Sequence, residues 1–119
     1  MDDLPLYEVK ADLFRGLAHP IRVRILELVC AADEVPVADL LTELKLKPPH
    51  LSQHLAVLRR YGLVTSTRRG SQVFCSAADA SVVSLLTSAR AVLAHTAAVR
   101  ARLAEALDAN VAVAATAAQ

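Results

Sequence analysis

The stretch Lys47 to Leu55 reads KPPHLSQHL and sets two imidazoles, His50 and His54, four residues apart. On a helix that spacing puts both on one face. Two such groups could chelate a transition metal. They could also be polar side chains on a helix that reads DNA. No acidic residue or cysteine lies near in sequence to complete a metal shell. His54 also flanks the apolar stripe of Leu51, Leu55 and Leu58, so it is expected to be partly buried and hydrogen-bonded to backbone. Two other groups have chemistry of their own. Cys30 and Cys75 raise a thiol switch, but burial as small hydrophobes is the commoner fate of such cysteines. No nucleophile, base and orienting group come together, and no glycine-rich phosphate loop is present. The sequence favours binding over catalysis and gives an enzyme no support.

Charge distribution narrows the class of partner. The chain has 119 residues and a formal net charge of +1. Between Glu43 and Asp79 there is no acidic residue, while Lys45, Lys47, Arg59, Arg60, Arg68 and Arg69 all fall in that window. A one-signed run in a nearly neutral chain points to an anionic partner. A protein-interaction module docking through its last helix is the competing class, and the basic window argues against it. The N-terminus lacks the basic start and apolar middle of a signal peptide, and no run reads as long and apolar enough to span a bilayer. A cytoplasmic protein with no membrane partner is expected. Two cysteines are too few for a secreted disulfide scaffold.

The elements that must position these groups follow from periodicity. Leu6, Val9, Leu13 and Leu17 predict a first helix ending near Gly16 to Ala18. Pro20 then opens a second, with Ile21, Ile25, Leu28 and Val29 inward. The stretch AADEVP breaks the pattern, and VADLLTEL resumes it as a short helix with Leu40, Leu41 and Leu44 inward. A tight connection over Lys45 to Lys47 leads to Pro48 and Pro49. These suit a helix start, where first-turn N–H groups have no intrahelical acceptor. Gly62 closes that helix. The next stretch, LVTSTRRGSQVFCSA, changes period and predicts a β-hairpin turning at Arg69-Gly70. Asp79 suits the N-cap of a last, long helix. Its stripe of Leu86, Ala89, Leu93, Thr96, Leu103 and Leu107 is wider than a small globule needs. Burial against a second copy of the chain is expected, with the first helix contributing.

The expected fold class is therefore mainly α with a small β-hairpin wing (α+β). It is a winged helix-turn-helix, dimeric through its N- and C-terminal helices. One domain should span 1–107, with the helix-turn-helix at 36–61, the wing at 63–76 and the dimerisation helix at 79–107. The low-complexity tail 108–119 should fray. The second helix of such a pair enters the major groove with its first turns leading. Lys47, Pro49, His50, Ser52 and Gln53 lie at its exposed start. Gln53 can both donate and accept, as an adenine edge requires. Pro49 offers apolar contact, for instance to a thymine methyl. Arg68 and Arg69 flank the wing turn and should meet phosphates or the minor groove. Arg60, with Arg59, could contact a phosphate or form a salt bridge within the fold.

Three ordered blocks, GLAHPIRVRILELV, LSQHLAVLRRYGLV and RRGSQVFCS, resemble the ArsR/SmtB family of bacterial repressors over roughly residues 8 to 107. The resemblance implies a homodimer on a palindromic operator, governed by a small effector. It also implies where an effector could sit. The family's arsenic-type site needs cysteines where this chain has Pro36 and Ala38, so that site is absent. The family's nickel, cobalt or zinc site between C-terminal helices matches at Asp79 and His95, while Ser81 and Val92 replace the other two ligands. The two remaining residues are about 24 Å apart along one helix, so only an antiparallel dimer could bring them together. Asp79 as a cap and His95 as a surface histidine is the competing account. A non-metal effector, a redox signal, or sensing through an accessory protein all stay open.

Overall fold

The computed structural model describes the backbone of residues 5–117 and side chains as far as residue 109. Eight elements follow in order: α1 (Leu6–Leu17), α2 (Pro20–Cys30), β1 (Val35–Pro36), α3 (Val37–Leu44), α4 (Pro48–Arg60), β2 (Val64–Arg69), β3 (Gln72–Ala77) and α5 (Ala80–Ala117). They divide into two compact units, Met1–Ser84 and Leu85–Gln119, where the sequence predicts a single domain over 1–107. The boundary falls inside α5.

The first unit is built on α2, α3 and α4. Ile25, Leu26 and Val29 of α2, Leu40 of α3 and Leu51, Leu55 and Leu58 of α4 are all buried. The leucine stripe of α4 is thus inward at its expected register. Between α3 and α4 the chain turns through Lys45, whose φ of 55° is left-handed. Leu46 N–H then returns to the Leu41 carbonyl at 3.3 Å, satisfying a helix-end carbonyl that would otherwise be orphaned. The hairpin forms as expected. β2 pairs antiparallel with β3 from Val64↔Ala77 to Arg69↔Gln72, and Gly70 takes the positive φ of the turn. A third strand escapes the sequence pattern. Val35 and Pro36 pair with Cys75 and Phe74, giving the order β1-β3-β2. Two residues are too few to show alternation.

α1 packs against α4 and against Tyr61, which caps the C-terminal end of α4. A Cβ built on buried Gly16 would lie 2.4 Å from a Tyr61 ring carbon. The Tyr61 hydroxyl donates to Asp12 Oδ1 at 3.3 Å. Arg22 Nε donates to the Gly16 carbonyl at 2.6 Å, tying the end of α1 to the start of α2.

Asp79 caps α5 as expected, its Oδ2 accepting from Ser81 N–H at 2.8 Å. The helix runs on to Ala117, ten residues beyond the 107 that the apolar stripe marks. Alanine carries the lowest helix penalty, and no glycine or proline interrupts this stretch. The expectation that no run could span a bilayer is also corrected. By length and composition Ala80–Ala109 is long and apolar enough, with a mean hydropathy of 1.5. Valine and leucine supply most of that average, with alanine adding the rest. Arg90, Arg100 and Arg102 interrupt the stretch, and each would cost about 2.5–3.5 kcal/mol at a membrane centre.

The Gly16–Tyr61 approach makes a specific prediction. Gly16→Ala should destabilise the protein by about 1–3 kcal/mol through overpacking. In a Tyr61→Ala background the same change should be neutral or stabilising, because alanine is the better helix former. Urea unfolding of the four proteins in this cycle measures the coupling.

Candidate nucleic-acid interface

The front of α4 is made by its N-cap. Lys47 is extended, and its carbonyl accepts from His50 N–H at 3.0 Å and Leu51 N–H at 3.2 Å. Pro48 and Pro49 fill the first two helical positions. No acidic residue stands in this first turn to offset the positive end of the helix dipole. With the leucine stripe inward, Lys47, Pro49, His50, Ser52, Gln53, Arg59 and Arg60 are exposed. The structure therefore brings the expected α4 residues onto one outward face.

The basic residues differ in how free they are. Arg59 Nη1 donates to Ser66 Oγ at 3.3 Å, linking the end of α4 to β2. Arg60 has no side-chain partner among the described residues. At the wing tip Arg68 is exposed and likewise unpartnered. Arg69 is held. Its Nη1 donates to Glu34 Oε2 at 3.0 Å, its Nη2 donates to Glu34 Oε1, and its guanidinium sits 3.9 Å from the Phe74 ring centroid. The Arg69 hydrogen bond pulls the Glu34 carboxyl below its ordinary range. Glu34 precedes the acid-free window, so counting charge along the sequence misses it. The pairing of Pro36 with Phe74 brings its strand beside the hairpin.

His54 is half-buried, as expected, but its partner is a ring and not backbone. The His19 and His54 rings lie 4.5 Å apart, centroid to centroid, tilted by 60°. Burial is the main cause that lowers the His54 pKa, followed by the charges of His19, Arg22 and His50. His19 in turn caps α2, its Nδ1 accepting from Ile21 N–H at 3.1 Å.

The other sensor groups fare differently. Among the described residues, no three His, Cys, Asp or Glu side chains are grouped so as to hold a metal ion. Asp79 is engaged as a cap, and its bond to Ser81 lowers its pKa. His95 is exposed on α5. Two donors fall short of the three or four protein ligands of a tight site, so these residues do not fit a nickel, cobalt or zinc centre within one chain. Cys30 is half-buried and Cys75 buried, both as free thiols, and desolvation raises both pKa values. Raised values disfavour the thiolate, the reactive form. Pro36 and Ala38 line a half-open hollow of about 220 Å³ with Leu41 and, from the wing, Ser71, Gln72 and Val73. No thiolate lines that hollow.

Comparisons with known proteins agree with this geometry. Residues 19–66 match the family model described as bacterial regulatory protein, arsR family. An HTH-type transcriptional regulator of Mycobacterium tuberculosis, Rv0081, is 43% identical over 95 residues, covering 80% of this chain and 83% of the relative. Its crystal structure superposes with a TM-score of 0.76 at 42% identity, over 82% of this chain and 98% of that one. The biofilm growth-associated repressor of Agrobacterium fabrum is 34% identical over 93 residues, covering 75% of this chain and 79% of the relative. A homodimeric winged helix-turn-helix DNA-binding domain, Mb0332 of Mycobacterium bovis, superposes with a TM-score of 0.67 at 26% identity. That match covers 74% of this chain and 81% of the other.

Two substitutions should separate base reading from phosphate binding. Arg68→Ala is expected to weaken binding to every duplex alike and to lower the slope of log affinity against log salt by about 1. Gln53→Ala should leave that slope unchanged and cost about 1–3 kcal/mol of discrimination at one base pair. Fluorescence anisotropy with a labelled duplex, over a salt series and a set of single-base variants, reads both.

Proposed function

The chain belongs to the ArsR family of bacterial regulatory proteins, and we propose that this transcriptional regulator works as a homodimer reading a two-fold symmetric operator. In this reading α4 enters the major groove and the β2–β3 hairpin lies along the backbone. The observation that carries it is the outward face of α4. Pro49, His50, Ser52 and Gln53 are exposed together while Leu51, Leu55 and Leu58 behind them are buried. Gln53 and His50 bring hydrogen-bonding groups to base edges, and Lys47, Arg60 and Arg68 bring charge to phosphates. Arg69 can join them through the guanidinium N–H groups that Glu34 leaves open. Such a protein acts where the DNA is, in the cytoplasm.

Pairing of two chains is supported by apolar surface that each element leaves uncovered. On α1, Leu6, Tyr7 and Phe14 are exposed, Tyr7 at 72%. On α5, Val92, Leu93, Leu103 and Leu107 are exposed, Leu93 at 69%. Burying one such side chain is worth about 1.5–3 kcal/mol. Two copies of α4 set one DNA turn apart, about 34 Å, would each read a half-site. Asp79 with His95, and Cys30 with Cys75, gain no support as effector sites from their surroundings.

The expected outcome is that a palindromic duplex from the protein's own promoter region binds more tightly than random DNA at moderate salt. Sedimentation should show a dimer. Replacing Leu93 and Leu103 together by glutamate should yield monomers whose first unit stays folded by circular dichroism. Their operator affinity should fall by more than tenfold, since each monomer keeps one half-site. A wild-type monomer that binds operator as tightly as random DNA would overturn the proposal.

A further inference from the structure

The contact between His19 and His54 joins two elements through their titratable groups. His19 stands at the N-cap of α2, with extended φ and ψ of −152° and 125°. Its Nδ1 accepts the Ile21 N–H, so the cap requires a lone pair on that nitrogen. A protonated imidazole has donors on both nitrogens and no acceptor. Protonating His19 therefore removes the cap outright. The His54 ring comes from the middle of α4 and lies against the His19 ring. A proton on it would place a charge in a half-buried setting beside Arg22.

The charged groups around His54 are all basic. Arg22 comes from α2, His19 from its N-cap, and His50 from the preceding turn of α4 itself. From α1 the neighbourhood receives the Gly16 carbonyl, to which Arg22 already donates. Among the described residues, no carboxylate is among the charges that act on His54, so an added proton there meets repulsion.

We propose that His19 and His54 form a proton-sensitive joint, which holds the recognition helix against the start of α2 while both rings are neutral and loosens when either takes a proton. The sign is fixed by the lowered His54 pKa. The unfolded chain takes up the proton first as pH falls. Stability is then full above the ordinary imidazole range and is lost as pH drops below about 6.5. The folded-state His54 value sets where the loss levels off. Because α4 carries the base-reading residues, loosening the joint should blur sequence discrimination. That consequence rests on the operator reading above, whereas the joint itself does not.

Two-dimensional NMR of the full chain without DNA, between about pH 5 and pH 8, tests the joint directly. The His54 Hε1 signal should titrate with a midpoint below about 6.5. The Ile21 amide should shift in step with His19. In His19→Asn the side-chain oxygen still caps α2 but does not titrate, so the Ile21 amide should stay in place. The urea midpoint of that variant should lose part of its pH dependence, and that of His54→Gln should lose part as well. An Ile21 amide indifferent to His19 protonation would overturn the proposal, and so would urea midpoints that fall in parallel in all three proteins. A second arm measures the ratio of operator to random-DNA affinity at pH 7.5 and 5.5. The wild-type ratio should drop and the His19→Asn ratio should hold. If no operator preference exists at either pH, the operator reading fails while the NMR result still decides the joint.

Discussion

The burial of Leu51, Leu55 and Leu58 is the constraint on which the rest of the first unit depends. These three side chains keep α4 packed against α2 and α3, whose own buried residues are Ile25, Leu26, Val29 and Leu40. A helix repeats every 3.6 residues, so fixing one stripe fixes the other faces. Turning α4 by a third of a turn would lift leucines worth about 1.5–3 kcal/mol each out of the core. It would bury groups such as Ser52 or Gln53 in their place, with no partners waiting for them. The outward residues are thus held in register by apolar packing that touches no DNA. The same packing sets the two proline-led turns at the front, where base edges would be met.

Electrostatics divides the labour among the cations. Six basic residues share an acid-free window in the sequence, but in space they are not equivalent. Arg59 is committed to Ser66, and Arg69 to Glu34 and Phe74. Both link neighbouring elements of the wing, β2 to α4 and the hairpin to the segment before β1. Among the described residues, Arg60 and Arg68 have no side-chain partner, which leaves their donors available to an outside anion. A wing held by a bidentate arginine–carboxylate pair is positioned before any ligand arrives, which lowers the ordering cost of binding.

Much of this was legible in the sequence because it is local. Helix α4 showed itself through prolines at its start, leucines at helical spacing and Gly62 at its end. The hairpin showed itself through a change of period and one turn signal. The cap at Asp79 came from residue type alone. What the sequence hid is what depends on distant residues meeting. Glu34 and Arg69 are 35 positions apart, as are His19 and His54, and Asp12 and Tyr61 are separated by 49. No periodicity marks such pairs. Strand β1 was hidden for a different reason, being two residues that exist only by pairing with β3. The extent of α5 was underestimated because alanine continues a helix without marking a face.

The most direct test is to map the DNA-bound surface residue by residue. Backbone amide shifts of the isotope-labelled protein can be followed while an operator half-site duplex is added. The account predicts that the largest changes fall at residues 47–53 and 68–70, with the amides of Leu55 and Leu58 nearly still. Perturbations clustered on α1 or α5, with the front of α4 silent, would contradict it.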